Sequence, residues 1–143
     1  MKPILTQKQS FSLDKKTIEL GYLKESQLLD NVGKKIAQFI LEKIKNPFNN
    51  KIVVVAGPGN NGADGIICYH YLLKYGINSE LMLCNEGLIK SEIINTYALN
   101  IDVINIYSKT HVFNNDHWYV DAIFGIGLNR IVSGIYLDII NKM

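Results

Sequence analysis

The residues whose types and spacing could do chemistry lie in the stretch GPGNNGADG, residues 57–65. This glycine-rich stretch follows the apolar run KIVVVA at residues 51–56, so its backbone N–H groups could point at an anion. Gly57, Gly59 and Gly62 match the G-x-G-x-x-G pattern of nucleotide-binding loops, which alone is a weak signal. A Walker A phosphate loop is excluded, because no Lys-Ser or Lys-Thr pair follows the last glycine.

The same stretch carries three polar side chains that a simple phosphate loop does not require: Asn60, Asn61 and Asp64. Each has a structural explanation, since Asp64 could cap a helix and the asparagines could be turn residues. Two carboxamides and a carboxylate beside the start of a helix nevertheless favour a binding site.

A second candidate group lies near the end of the chain. Asp121 is part of the apolar stretch WYVDAIFG, residues 118–125, and we expect its carboxylate to be buried there. A buried carboxylate is costly unless it meets a cation or several hydrogen-bond donors. The next residues form another glycine loop, GIGLNRIVSG at 125–134, with the single arginine of the chain, Arg130. Its planar guanidinium suits a carboxylate or a phosphate.

The elements that must position these loops alternate between strand and helix. The β-branched run at 51–56 predicts a strand covered on both faces, as in a parallel sheet. Apolar periodicity and breaker residues predict the other elements. The predicted helices cover residues 12–23, 26–45, 65–76, 91–100 and 134–143, and the predicted strands 51–56, 79–84, 102–107 and 118–125.

This alternation predicts an α/β fold: a three-layer, doubly wound, mostly parallel sheet of the Rossmann-like kind. We expect a single domain over residues 1–143, with N-terminal helices at 1–46 and the sheet core at 51–143. A switch in strand order would place the first and fourth strands side by side, so the two glycine loops would face one crevice. Four parallel strands are fewer than such folds commonly have, which predicts a domain incomplete at its C-terminal end.

Composition narrows the class of partner. A net charge of +2 leaves no broad basic face, which argues against nucleic acid. No stretch approaches the roughly 18 to 20 apolar residues that span a bilayer, so we expect no membrane partner. Cys68 and Cys84 lie among apolar neighbours and are predicted to be reduced, buried thiols, which fits a cytoplasmic protein.

Three motifs together resemble one known family. GPGNNGADG is similar to the G-P-G-N-N-G-G-D-G loop of the YjeF N-terminal family, the NAD(P)HX epimerases. LLDNVG at 28–33 resembles that family's L-M-E-N-A-G helix, and VDAIFGIGLNRIVSG at 120–134 resembles its V-D-A-L-F-G-T-G-L-x-R-P-x-x-G segment. Three motifs in the same order make a far more specific match than one glycine pattern.

The resemblance implies an isomerase that interconverts the R and S epimers of hydrated NADH and NADPH in cofactor repair. It implies a potassium ion, K⁺, held by Asn61 and Asp121, and a catalytic role for Asp64 or Asp121, with Asp64 the first candidate for acid–base chemistry. It also implies a possible homodimer and a possible fusion to, or cooperation with, an NAD(P)HX dehydratase. The substrate would contact Asn60, Asn61, Gly62, Ala63, Asp64, Gly125, Ile126, Gly127, Leu128, Asn129, Arg130 and Ile131.

The sequence departs from the family pattern at several positions. Ala63 stands where the family has glycine, which matters if that backbone needs a positive φ or approaches the ligand closely. Ile131 replaces the usual proline, and the V-D-I-P-S-G segment that completes the family's substrate and potassium sites is not in this sequence.

Two other function classes therefore stay open. One is a non-catalytic nucleotide-binding or partner-binding remnant of the same fold. The other is an ordinary Rossmann dehydrogenase, which is disfavoured because the acidic residue expected to bind ribose is doubtful and no hydride-transfer site is visible.

Overall fold

The computed structural model describes residues 4–90 and 92–143, which form an α/β fold. Short 3₁₀ turns at Pro47–Asn49, Glu86–Lys90 and Ile101–Val103 link the main elements. The strands are β1 (Ile52–Ala56), β2 (Ser79–Leu83), β3 (Asn105–Ile106) and β4 (Trp118–Ala122). The helices are α1 (Gln7–Glu19), α2 (Glu25–Lys43), α3 (Asn60–Lys74), α4 (Glu92–Thr96) and α5 (Gly134–Lys142).

The four strands form one parallel sheet in the order β3-β2-β1-β4. The chain therefore steps outward from β1 to β3 and then returns to place β4 on the other side of β1. This confirms that the first and fourth strands are neighbours. Val55 of β1 pairs with Asp121 of β4, and Ala56 pairs with Ala122, so the two strands end at the same edge of the sheet.

Every residue of β1 is buried, as its uninterrupted apolar sequence predicts. Ile52, Val54 and Ala56 pack in the core cluster that includes residues of α2 and α3. Val53 and Val55 pack in a second cluster with Ile139 of α5. The sheet thus lies between two helical layers, which confirms the three-layer arrangement.

Helix α2 packs against α3 through a close approach at Gly33. A Cβ atom at this position would lie 2.5 Å from Cγ2 of Ile67, a side chain that is fully buried. Nothing larger than glycine fits there without displacing the helix, which gives a packing reason for the glycine of LLDNVG.

Asp30 of the same motif connects three segments. Its carboxylate accepts hydrogen bonds from the Tyr71 hydroxyl of α3, at 2.9 and 3.0 Å, and from the Tyr97 hydroxyl just beyond α4, at 2.7 Å. Burial, and then the hydrogen bond from Tyr97 to Asp30, raise the pKa of Tyr97. Bonds to a charged acceptor are stronger than neutral ones, so Asp30 holds this helical layer together.

Several predicted boundaries are wrong, each for a local reason. α1 begins before residue 12, because Thr6 and Gln9 form a capping box. The helix predicted at 91–100 stops at Thr96 because Ala98 adopts a positive φ of 48°. Its predicted first residue, Ser91, lies outside the described residues, as do residues 1–3 of the predicted domain.

The third predicted strand is also shorter than expected. Asn100 caps a 3₁₀ turn by accepting a hydrogen bond from the Asp102 N–H at 3.0 Å, so the extended backbone is limited to β3. The turn therefore includes Asp102 and Val103, which the apolar pattern assigns to the third predicted strand.

Cys68 and Cys84 are both free and buried, as predicted. Burial raises the pKa of each thiol to about 12. Within residues 4–90 and 92–143, none of the helices has both the length and the apolar composition needed to cross a lipid bilayer.

Replacing Gly33 with Ala should destabilise the protein by about 1–3 kcal/mol, because the new methyl group overlaps Ile67. The direction of this stability change is informative, because replacing glycine with alanine at an exposed helix position stabilises a protein by about 1 kcal/mol. Urea unfolding measures the difference. Lys35→Ala, at an exposed position of the same helix, is the matched control and should stay within about 0.5 kcal/mol of wild type. An equal free energy of unfolding for Gly33→Ala and wild type would contradict this prediction, because it would mean that α2 and α3 can move apart at no energetic cost.

Candidate functional site

A cleft of about 610 Å³ opens at the carboxyl ends of β1 and β4. Its size suits a small-molecule ligand, and its place is where open α/β sheets bind ligands. The wall combines both glycine loops with one side of α1. The lining residues are Phe11, Asp14, Pro58, Gly59, Asn60, Asn61, Asp64, Phe124, Gly125, Ile126, Gly127, Leu128, Asn129 and Arg130.

The first glycine loop leads directly into α3. Gly59 adopts a φ of 84°, and its carbonyl oxygen accepts the first helical hydrogen bond, from Ala63 N–H at 3.0 Å. α3 therefore begins at Asn60, five residues before the predicted start, and NNGAD forms its first turn. The N–H groups of Asn60, Asn61 and Gly62 precede the helical hydrogen-bond ladder, so the positive end of α3 lies beside the cleft.

Gly62 lets the loop fold tightly onto itself. A Cβ atom there would overlap the carbonyl oxygen of Gly57, so any larger residue would push the start of α3 away from β1. Ala63, by contrast, lies within the helix, and the only non-glycine residues with a positive φ in the described ranges are Asn46 and Ala98. Alanine at this position, where the family that the sequence resembles has glycine, therefore creates no φ strain.

The second loop contacts the first. The backbone of Gly125 packs against Asn61, since a Cβ on that glycine would lie 3.1 Å from the Asn61 Cβ. A turn follows, in which Leu128 N–H donates to the Gly125 carbonyl at 3.2 Å. The loops after β1 and β4 are thus in direct contact at one edge of the sheet.

Asp64 is the more buried of the two carboxylates that line the cleft. One of its oxygens, Oδ1, is buried and has no hydrogen-bond partner among the residues that the structure describes. Burial, with a smaller contribution from the negative charge of Asp14, raises the pKa of Asp64 from 3.8 to about 6. A carboxyl that titrates near neutral pH can both donate and accept a proton, as acid–base catalysis requires.

Asp121 differs from the expectation. Its side chain is exposed rather than buried, because β4 is the outermost strand on one side of the described sheet. Its Oδ1 accepts a hydrogen bond from Ile123 N–H at 3.0 Å, and the side chain does not line the cleft. Solvent and this donor satisfy the carboxylate without a cation, so burial gives no reason to place an ion beside it.

Three predicted substrate contacts also lie outside the cleft lining: Gly62, Ala63 and Ile131. Gly62 is buried against the loop backbone, and Ile131 is 92% exposed. The other predicted residues of both loops, Asn60, Asn61, Asp64 and the run from Gly125 to Arg130, share the cleft. Among the described residues, no group of three or more His, Cys, Asp or Glu side chains lies close enough to hold a metal ion.

Sequence reasoning missed the contribution of α1. Phe11 and Asp14 line the cleft, although the glycine motifs give no hint of them. Their only signal is their spacing: they are three residues apart and therefore lie on one face of a helix. Nothing in the sequence says which element that face meets.

The chain is similar to proteins of known families. Residues 25–143 match the family model described as the YjeF-related protein N-terminus. The chain is 31% identical over 142 residues to a protein of Entamoeba histolytica named NAD(P)H-hydrate epimerase, a match that covers 97% of this chain and 62% of the relative. It is 28% identical to a bifunctional NAD(P)H-hydrate repair enzyme of Thermofilum pendens, of which it covers 26%.

The crystal structure of yeast ynu0 shares this fold. The TM-score is 0.74 at 23% sequence identity, over 99% of this chain and 64% of the yeast chain. This chain thus spans less than two thirds of the length of each of these proteins.

Replacing Asp64 with Asn should raise thermal stability at neutral pH and leave it nearly unchanged at low pH. The folded-state pKa of about 6 lies above the ordinary 3.8, so between these values the folded protein binds more protons than the unfolded chain. The stability that this proton provides is fully present below 3.8 and is lost as the pH rises through about 6. Asparagine does not titrate, so the Asp64→Asn protein does not lose this stability as the pH rises.

Thermal unfolding of both proteins between about pH 4 and pH 7.5 measures this effect. We expect the Tm difference in favour of Asp64→Asn to grow by about 3 °C over the interval. A difference independent of pH would mean that the folded protein does not raise the pKa of Asp64.

Proposed function

Because the chain belongs to the YjeF N-terminal family, with a family match over residues 25–143, we propose that it is an NAD(P)H-hydrate epimerase. The activity would interconvert the R and S epimers of hydrated NADH and NADPH. Relatives with that name support the proposal. The single observation that carries it is the position of Asp64 in a cleft that both glycine loops line.

In this proposal the two loops bind the dinucleotide. The N–H groups at the start of α3 and the guanidinium of Arg130 are suited to the diphosphate. Arg130 lines the cleft and forms no ion pair with any other described residue, so its charge is available to a ligand. Of the substrate contacts proposed from the sequence, Asn60 to Asp64 and Gly125 to Ile131, all but Gly62, Ala63 and Ile131 line the cleft, which supports this part of the proposal.

Asp64 would move the proton that epimerisation needs. In its protonated form it donates to the C6 hydroxyl oxygen while the C–O bond breaks, and water leaves with the bonding electron pair. The lone pair of the ring nitrogen stabilises the resulting cation. Water then attacks C6 from either face and returns its proton to the Asp64 carboxylate. A pKa of about 6 suits both directions near neutral pH.

We also propose that the protein binds a potassium ion. Carboxamide and carboxylate oxygens are hard ligands, so the chemistry of Asn61 and Asp121 fits an alkali cation. Asn61 lines the cleft, whereas Asp121 belongs to β4 and lies outside the cleft lining. When bound, the ion would supply positive charge near the diphosphate; we assign it no step in the proton transfer, and Asp121 no part in acid–base chemistry.

We also propose where the protein is located and which partners it has. We place the protein in the cytoplasm, as its free cysteines suggest, and propose that it forms a homodimer and works with an NAD(P)HX dehydratase. Relatives named bifunctional NAD(P)H-hydrate repair enzymes, from Thermofilum pendens and Dictyoglomus turgidum, make the last point reasonable. The alternative function is a non-catalytic nucleotide-binding or partner-binding module, which would keep the cleft without the proton transfer.

Asp64→Asn should lower the epimerisation rate by about two to four orders of magnitude, because asparagine cannot transfer the proton. The assay supplies one epimer of NADHX and follows the appearance of the other by chromatography. Glu19→Gln, at the exposed end of α1, removes a carboxylate outside the cleft and should retain wild-type activity. Near-normal turnover in Asp64→Asn would remove Asp64 from the mechanism, and a wild-type rate equal to the spontaneous rate would favour the binding module.

The potassium site predicts a cation-specific stabilisation. Thermal unfolding in KCl should give a higher Tm than in NaCl at equal ionic strength, by about 2–4 °C if the ion is well above its Kd. Asn61→Ala should abolish the difference. Equal Tm values in both salts over a wide concentration range would exclude a specific site.

A further inference from the structure

Helix α1 closes one side of the cleft, although the family match begins only at residue 25. Two contacts join α1 to the cleft: Gln7 Nε2 donates a hydrogen bond to the carbonyl oxygen of Ile126, and Cζ of Phe11 would lie 4.0 Å from a Cβ atom placed on Gly127. Both partners belong to the second glycine loop. α1 is therefore attached to the site itself, and none of its residues is buried in the core.

This attachment places a second carboxylate in the cleft. Asp14 lies one helical turn beyond Phe11, on the same face of α1, and shares the lining with Asp64. We propose that Asp14 is a positioning residue of this site, whose carboxylate shares the cleft with Asp64 and favours the protonated form of that side chain. The inference rests on the proposed epimerase function for its catalytic meaning, but the interaction of the two carboxyls can be measured without substrate.

The physical reason is repulsion between like charges. Two nearby carboxyls in a partly desolvated cleft do not ionise independently, and the more buried one retains its proton to higher pH. Asp64 has a buried, unpartnered oxygen, whereas Asp14 is exposed, so Asp64 is the group that retains the proton. The negative charge of Asp14 is the second cause, after burial, of the raised pKa of Asp64.

Other groups around Asp64 do not supply this effect. Arg130, from the loop after β4, is the other charged side chain of the cleft, and a cation favours the ionised carboxylate. Asn60 and Asn61 of α3 are uncharged. Asp121 of β4 lies outside the cleft lining. Asp14 is therefore the acidic group placed to oppose Arg130.

The decisive experiment follows the side-chain carboxyl carbon of Asp64 by NMR in ligand-free protein labelled with ¹³C-aspartate. Asp64→Asn identifies the signal. We expect a titration midpoint near 6 in wild type and a midpoint moved toward the ordinary 3.8 in Asp14→Asn. Asp14→Glu keeps the charge and should keep most of the shift. Glu19→Gln removes one charge from the same helix outside the cleft and should leave the midpoint unchanged.

An unmoved midpoint in Asp14→Asn would overturn the proposal, as would an equal shift in Glu19→Gln, which would reflect net charge alone. Since α1 buries no side chain, we expect each variant to fold, and circular dichroism checks this. These outcomes do not depend on any epimerase activity, so failure of the proposed function and failure of this inference are distinguishable.

If the protein is an epimerase, kinetics give a second readout. Asp14→Asn should lower kcat at pH 7 by about threefold to tenfold, with KM for NADHX changed by less than about twofold, and should shift the alkaline limb of the pH–rate profile to lower pH, because Asp64 acts in its protonated form. A residue that only held α1 in place would change KM and leave the pH profile where it was.

Discussion

The whole arrangement depends on the parallel pairing of β1 with β4. Their register ends both strands at one edge, with Ala56 opposite Ala122, so the chain must turn twice at the same place. Gly57 N–H donates to the Ala122 carbonyl at 3.0 Å and continues this pairing into the first loop. The strand order β3-β2-β1-β4 thus creates the cleft, and the glycines let the two turns lie in contact. Without that pairing, Asp64 and Arg130 would belong to separate surfaces.

Groups around the cleft have opposite electrostatic effects on the carboxyl of Asp64. Burial and the negative charge of Asp14 favour the protonated form of Asp64, while the start of α3 and Arg130 favour negative charge. A site that binds a diphosphate needs the positive groups, and a site that moves a proton needs a carboxyl that titrates near neutral pH. In the proposed mechanism, α1 reconciles these needs by adding a negative group on one side of the cleft.

The sequence was sufficient for much of the fold, because β1 is apolar throughout and strands alternate with helices. The glycine motifs also indicated which loops meet, since parallel strands place their carboxyl ends on one edge. Asp121 was misjudged: an apolar local sequence suggested burial, but exposure depends on whether another strand covers β4. The start of α3 was misplaced because glycine and asparagine favour turns, whereas here Gly59 turns the chain and Asn60 begins the helix. Asp14 could not be found at all, because only the docking of α1 on the second loop brings it to the cleft.

In the proposed function, the two glycine loops form one binding surface for the hydrated dinucleotide. Backbone amide shifts in a ¹⁵N NMR titration with NADHX test this most directly. We expect the amides of residues 59–62 and 125–130 to shift together, with one common Kd, while those at the far end of the sheet stay unchanged. Shifts confined to one of the two loops, or clustered away from both, would contradict it.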